Sequence, residues 1–173
     1  MDLRTYIRTI PNWPQPGIMF RDITTLLQNP DAFRYAVDAL AYQYRHQPIS
    51  KIMGIESRGF IIAAALAYEL HLPLVLARKH GKLPAETIAQ EYQLEYGTDT
   101  LEVHKDALQA GETVLIIDDL LATGGTALAA CQLVEKSGAA VSGVAVIINL
   151  PDLHGAEKLK RYNPFYLVEF EGE

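Results

Sequence analysis

The stretch Val114 Leu115 Ile116 Ile117 Asp118 Asp119 Leu120 Leu121 Ala122 Thr123 Gly124 Gly125 Thr126 sets an apolar run, an acidic pair and a glycine turn in direct succession, and helical spacing follows from Ala127 to Lys136. Thr113 to Ile117 reads as a strand, and its unbroken apolar character predicts one covered by helices on both faces. At the carboxyl end of such a parallel strand the chain turns into a crevice, where side chains face ligand instead of core. Asp118 and Asp119 are expected at that edge. Gly124 and Gly125 have no side chain to block an anion, and the N–H groups that open the next helix offer donors and the positive end of a dipole. Thr123 and Thr126 add hydroxyls. The construction suits a monophosphate in the turn, with a polyhydroxy sugar reaching back to the two carboxylates. Taken singly, each part has a plainer reading, since adjacent acids often only close a strand and paired glycines often only permit a turn. A P-loop is excluded because this turn has no lysine, and the Rossmann glycine pattern is missing as well.

Outward from this stretch, strand-like runs at Lys51 to Ile55, Leu74 to Ala77 and Val141 to Ile148 alternate with helical spacing at 31–46, 58–70 and 126–137. That alternation predicts an α/β fold around a mainly parallel sheet. In the 31–46 segment Phe33, Val37, Leu40 and Tyr44 recur on one face, with Asp31 in the first turn and Pro48 beyond the end. Two regions interrupt the pattern. Pro11 to Gly17 carries three prolines and a glycine, which argues against regular structure there. Lys79 to Val103 is a long polar excursion in which Gln93 to Tyr96 and Thr100 to Val103 are expected to pair as a hairpin. Arg78, Lys79 and Lys82 crowd positive charge beside Gly81, an arrangement that serves either as a solvated face or as a lid closing over a polyanion. Arg58 stands at another strand's carboxyl edge, between Ile55 and a helix that begins near Gly59.

The chain has 173 residues, enough for one domain with a real core, and 49% of them are hydrophobic. Its longest apolar stretch, near Phe60 to Leu66, is far too short to cross a bilayer. The amino terminus lacks the basic and apolar regions of a secretory signal, so a cytoplasmic location is expected and no membrane partner. A net charge of −6 disfavours a nucleic-acid partner, which calls for a clustered basic face. The single cysteine, Cys131, reads as a buried packing thiol. His46, His71, His80, His104 and His154 share no helical face and read as ordinary surface or packing residues.

The 114–126 run resembles the phosphoribosyl pyrophosphate (PRPP) binding motif of type I phosphoribosyltransferases. Three further segments are similar to those of one family among them, the adenine phosphoribosyltransferases. These are Pro16 Gly17 Ile18 Met19 Phe20 Arg21 Asp22, then Glu56 Ser57 Arg58 Gly59 Phe60, and then Arg78 Lys79 His80 Gly81 Lys82 Leu83 Pro84 continuing to Leu94 Glu95 Tyr96 Gly97. The likeness covers nearly the whole chain in order and spacing, and is loosest over Arg161 to Glu173, which is expected to stay clear of the site.

The resemblance implies a type I phosphoribosyltransferase fold over 1–173, with a small hood over 1–30 and a flexible catalytic loop and hairpin over 79–103. It implies transfer of the phosphoribosyl group of PRPP to adenine, giving AMP and pyrophosphate in purine salvage. PRPP and AMP would be held by Asp118, Asp119, Ala122, Thr123, Gly124, Gly125, Thr126, Arg58, Arg78, Lys79 and Lys82. The catalytic set would be Glu95, Arg58, Asp118 and Asp119, with Glu95 managing the purine N7 proton. Met19, Phe20 and Arg21 would receive adenine, Phe20 by stacking and the other two through main-chain groups. By the same resemblance the Glu56–Ser57 peptide is a candidate non-proline cis bond, magnesium is held mainly by PRPP and water without direct protein ligands, and the chain is a homodimer. Two rivals share the motif: a salvage enzyme for another base such as xanthine or orotate, and a non-catalytic PRPP-sensing regulator. The regulator normally carries a DNA-binding domain, for which the region before the first core helix leaves no room.

Overall fold

In a computed structural model, which describes residues 1–93 and 97–172, a central sheet has the strand order β5-β6-β4-β3-β7-β8-β9. The strands are β3 (Lys51–Ile55), β4 (Leu74–Lys79), β5 (Thr87–Gln93), β6 (Thr98–His104), β7 (Thr113–Leu121), β8 (Ala140–Asn149) and β9 (Pro164–Glu169). β4, β3, β7, β8 and β9 run parallel, while the hairpin β5–β6 joins antiparallel through Arg78↔Glu102 and Lys79↔Leu101. A separate antiparallel pair, β1 (Arg8–Pro11) and β2 (Met19–Asp22), lies in the segment expected to form the hood.

Period-two burial sorts the core into two halves, as strands covered on both faces require. Leu115 and Ile117 of β7 and Ala145 and Ile147 of β8 pack with α2 (Pro30–Tyr44) and α3 (Gly59–Leu70). Val114, Ile116, Val144 and Val146 face the other way, against α4 (Gly125–Lys136) and the hairpin. α2 begins where Asn29 accepts a hydrogen bond from the Ala32 N–H (2.9 Å) and Pro30 occupies the first turn. Its buried stripe includes Val37, Leu40 and Tyr44, as the spacing predicts, with Ala32, Ala36 and Ala41 beside them and Phe33 only half-buried. Cys131 is buried on α4, and burial pushes its thiol up to about 12.

Four expectations need correction. β7 continues to Leu121, so Asp118 and Asp119 lie within the strand, because β8 keeps pairing as far as Leu121↔Asn149. β4 runs on to Lys79, since β6 supplies a partner for its end. The first arm of the hairpin is Thr87–Gln93, not Gln93 to Tyr96; of the expected arm, 94–96 lie outside the described residues. Pro11 is paired with Met19 at the end of β1, and the turn beyond it contains a cis Trp13–Pro14 peptide.

Candidate active site

β3 and β7 are neighbours in the sheet, and the connection leaving β3 runs to β4 while the one leaving β7 runs to β8 on the opposite side. Such a reversal opens a crevice at the carboxyl ends of the two diverging strands. The turn after β3 contributes Glu56, Ser57 and Arg58, and the end of β7 contributes Asp118 and Asp119. Together with Lys79, Tyr92 and Ala122 to Thr126 they line a cavity of about 570 Å³.

The end that suits a phosphate is built by backbone. Gly124 precedes α4 at φ +76°, in the left-handed region that glycine adopts at no steric cost, and no side chain caps the helix. The α4 N–H groups and helix dipole therefore point into the cavity, ready for an anion. Gly155, which opens the short helix α5 (Gly155–Lys158), packs against this turn from behind. A Cβ there would lie 2.1 Å from the Ala122 carbonyl oxygen and 2.9 Å from the Gly124 nitrogen.

At the opposite wall, Asp118 Oδ1 accepts the Asp119 N–H at 2.9 Å, and Arg58 Nε lies 2.9 Å from Asp119 Oδ2. That oxygen is buried yet accepts no aligned hydrogen bond from a described residue, so the Arg58 contact is purely ionic. Burial first, and then the adjacent Asp119 charge, push the Asp118 carboxyl well above the ordinary aspartate range. Burial raises Asp119 as well, with the Arg58 guanidinium opposing the rise. Two carboxyls made reluctant to ionise beside a cation mark this wall as a candidate ligand site.

Lys79 Nζ is 3.3 Å from Asp99 Oδ2, which also accepts from the Tyr92 hydroxyl at 3.3 Å. Glu56 accepts from the Lys79 N–H (2.9 Å) and from Arg78 Nε (3.3 Å). Burial would raise the Glu56 carboxyl, but these donors together hold it below its ordinary value. Arg78 also donates to the Lys82 carbonyl (3.2 Å), and neither Arg78 nor Lys82 lines the cavity. The Glu56–Ser57 peptide is cis.

Residues 22–171 match the family model described as the phosphoribosyl transferase domain. An adenine phosphoribosyltransferase of Chlorobium luteolum is 55% identical over the full length of both chains. The crystal structure of an adenine phosphoribosyltransferase from Thermoanaerobacter pseudethanolicus superimposes with a TM-score of 0.95 at 46% identity, covering 98% of each chain. The Saccharomyces cerevisiae enzyme, solved with adenine and an imino-altritol bisphosphate, matches with a TM-score of 0.91 at 38% identity, covering 96% of this chain and 97% of the other. The chain belongs to the adenine phosphoribosyltransferase family.

Within this family member the β1–β2 pair stands beside the crevice without lining the cavity, and the Phe20 ring centroid lies 5.1 Å from the Arg58 guanidinium carbon. Trp13 packs edge-on against Phe20 with ring centroids 4.5 Å apart. Met19 is half-buried, whereas Arg21 is buried, its Nη1 donating to Thr9 Oγ1 at 2.8 Å. Glu95 lies outside the described residues. His80 is a surface residue, as expected, and its Nδ1 sits 2.6 Å from Glu102 Oε1, while the other Glu102 oxygen accepts the Gly81 N–H at 3.1 Å. A buried carboxylate thus ties down the start of the loop. The sequence reading missed Gly155, Asp99, Tyr92 and Glu102, because their roles depend on neighbours distant along the chain. Gly155 in particular carried no local signal.

Proposed function

We propose that this crevice transfers the phosphoribosyl group of PRPP to N9 of adenine, yielding AMP and pyrophosphate in purine salvage. The observation that carries the assignment is the convergence of the backbone anion turn, the Asp118–Asp119 pair and Arg58 at one strand-order reversal.

The 5-phosphate binds to the N–H groups and hydroxyls of 122–126, and the ribose hydroxyls donate to Asp118 and Asp119. As pyrophosphate leaves, positive charge builds on the sugar ring. The two carboxylates stabilise it, and most of the catalysis is electrostatic preorganisation of this kind. Arg58, Lys79 and Lys82 take the leaving pyrophosphate, and Arg78 joins them by leaving Glu56. Among the described residues no cluster of His, Cys, Asp or Glu forms a cage for a metal, whereas the Asp118 and Asp119 oxygens are hard donors that suit magnesium's water shell. Magnesium bound to PRPP supplies charge neutralisation for the leaving group.

Adenine lies under the hood. Phe20 stacks on it, the main chain of Met19 and Arg21 reads its Watson–Crick edge, and Glu95 manages the N7 proton. Burial of the Arg21 side chain against Thr9 supports reading by the main chain there. Adenine presents a donor at N6 and an acceptor at N1, and hypoxanthine and guanine reverse both. Each mismatch leaves a buried group unpaired, at about 1–3 kcal/mol.

The chain works as one phosphoribosyltransferase unit with a hood over 1–30 and a catalytic loop that begins at Lys79, and as a homodimer. Ile61 and Tyr68 share a face of α3 and stay 43% and 84% exposed, and Leu74 and Leu76 of β4 are exposed nearby in sequence. An apolar patch of this kind is the feature a second copy covers. A cytoplasmic location fits a chain whose single cysteine is a buried thiol, and no described helix is long and apolar enough to cross a membrane. The test is pyrophosphate release from PRPP, magnesium and adenine. Release that requires adenine supports the assignment, and release indifferent to the base overturns it.

A further inference from the structure

The carboxyl-terminal segment lines none of the crevice, and the fold carries it back to the β1–β2 pair. The Arg21 guanidinium stacks 4.6 Å from the Phe170 ring centroid, and its Nη2 donates to the Glu171 carbonyl oxygen at 3.4 Å. The segment is itself fastened to the catalytic edge of the sheet. Phe170 donates its N–H to the Asn149 carbonyl at the end of β8 (3.1 Å), and Gly172 donates to Asp152 Oδ2 (2.8 Å). Just after β8, the Leu150 N–H donates to the carbonyl of Leu121, a cavity-lining residue (2.9 Å).

A two-stranded hairpin is marginal by itself and takes its position from what it packs on. Here β1–β2 carries Phe20 beside Arg58, while the next residue, Arg21, reaches to the tail. We propose that Phe170–Gly172 is a positioning element for adenine, setting the hood relative to the β7–β8 edge through Arg21. Phe170 and Asp152 are therefore positioning residues and touch no substrate. The inference rests on the reading that 19–21 receives adenine.

The test compares adenine and PRPP Michaelis constants in Phe170→Ala, Phe170→Tyr, Asp152→Ala and Phe20→Ala, each in the full chain with folding checked by circular dichroism. Loss of a desolvated cation–π contact and of the ordered tail predicts a rise on the order of tenfold in adenine KM for Phe170→Ala, with PRPP KM within about twofold. Phe170→Tyr keeps an aromatic face and restores the adenine KM. Asp152→Ala, at an exposed position, removes the acceptor for the Gly172 N–H, gives a smaller rise of the same kind and stands in if Phe170→Ala does not fold. Equal changes in both constants, or a lower melting temperature with neither changed, would overturn the proposal. Phe20→Ala distinguishes the two levels. If it raises adenine KM and the tail variants do not, the tail inference is wrong; if it leaves adenine KM unchanged, the hood reading and the inference resting on it both fall.

Discussion

Arg58 Nε and Asp119 Oδ2 lie 2.9 Å apart, linking the turn after β3 to the end of β7 across the strand-order reversal. Asp119 Oδ2 accepts no aligned hydrogen bond from a described residue, and Arg58 is half-buried, leaving part of its guanidinium open to solvent. On the proposed reading, an arriving PRPP would exchange the ion pair for other partners, pyrophosphate for Arg58 and ribose hydroxyls for Asp119. Asp119→Asn keeps the shape but removes the charge that faces the developing cation, and it unpairs Arg58. Turnover should fall on the order of 10²-fold. Near-normal kcat in a folded variant would remove Asp119 from the mechanism.

Asp118 makes an opposite demand on stability. Its folded pKa lies above the unfolded value of 3.8, so the folded chain holds the proton more tightly. The resulting stabilisation is fully present below 3.8 and is lost as pH rises through the folded pKa. Near neutral pH the ionised carboxyl therefore costs stability. Asp118→Asn, which retains an oxygen for the Asp119 N–H, should melt higher than the parent at pH 7 while losing activity. The difference should shrink as pH falls toward 3.8, and a variant that melts lower at pH 7 would contradict the account.

Lys82 is exposed and makes its contact with Arg78 through its carbonyl, so its ammonium contributes little to the ligand-free fold. Lys82→Ala should raise the PRPP Michaelis constant or slow turnover with almost no change in Tm. Limited proteolysis between Lys79 and Glu95 should become slower with saturating PRPP and magnesium. Unchanged cleavage would count against closure of the loop.

The back of the phosphate turn offers a steric test. Gly155→Ala would put a methyl 2.1 Å from the Ala122 carbonyl oxygen, so the turn must shift. A displacement near 1 Å at a binding element can cost on the order of 10²-fold in rate. PRPP KM or kcat should suffer while calorimetric adenine binding changes little. An unaltered PRPP KM together with unaltered kcat would show that the turn does not lean on Gly155.

What the sequence made legible was local and periodic. β7, β8 and α4 were readable because consecutive apolar residues and helical spacing are fixed by their own neighbours, and the phosphate turn because it follows β7 directly. β5 was not, since only Tyr92 along Thr87–Gln93 is buried and the rest reads as polar loop. β9 escaped because its half-buried residues at the sheet edge show no clean alternation. The pairing of Arg78 with Glu56, and of Phe170 with Arg21, joins segments distant in the chain, and spacing alone cannot encode such contacts.

The central claim is that a backbone-read hood selects adenine for transfer at the Arg58–Asp119 crevice. The most direct measurement is kcat/KM for adenine, hypoxanthine, guanine, xanthine and orotate, with PRPP and magnesium saturating and nucleotide and pyrophosphate both quantified. The account predicts AMP and pyrophosphate in equal amounts from adenine, and discrimination against hypoxanthine and guanine of at least ~10²-fold, as two unpaired buried groups imply. Comparable turnover of hypoxanthine or guanine, or faster reaction with xanthine or orotate, would contradict it.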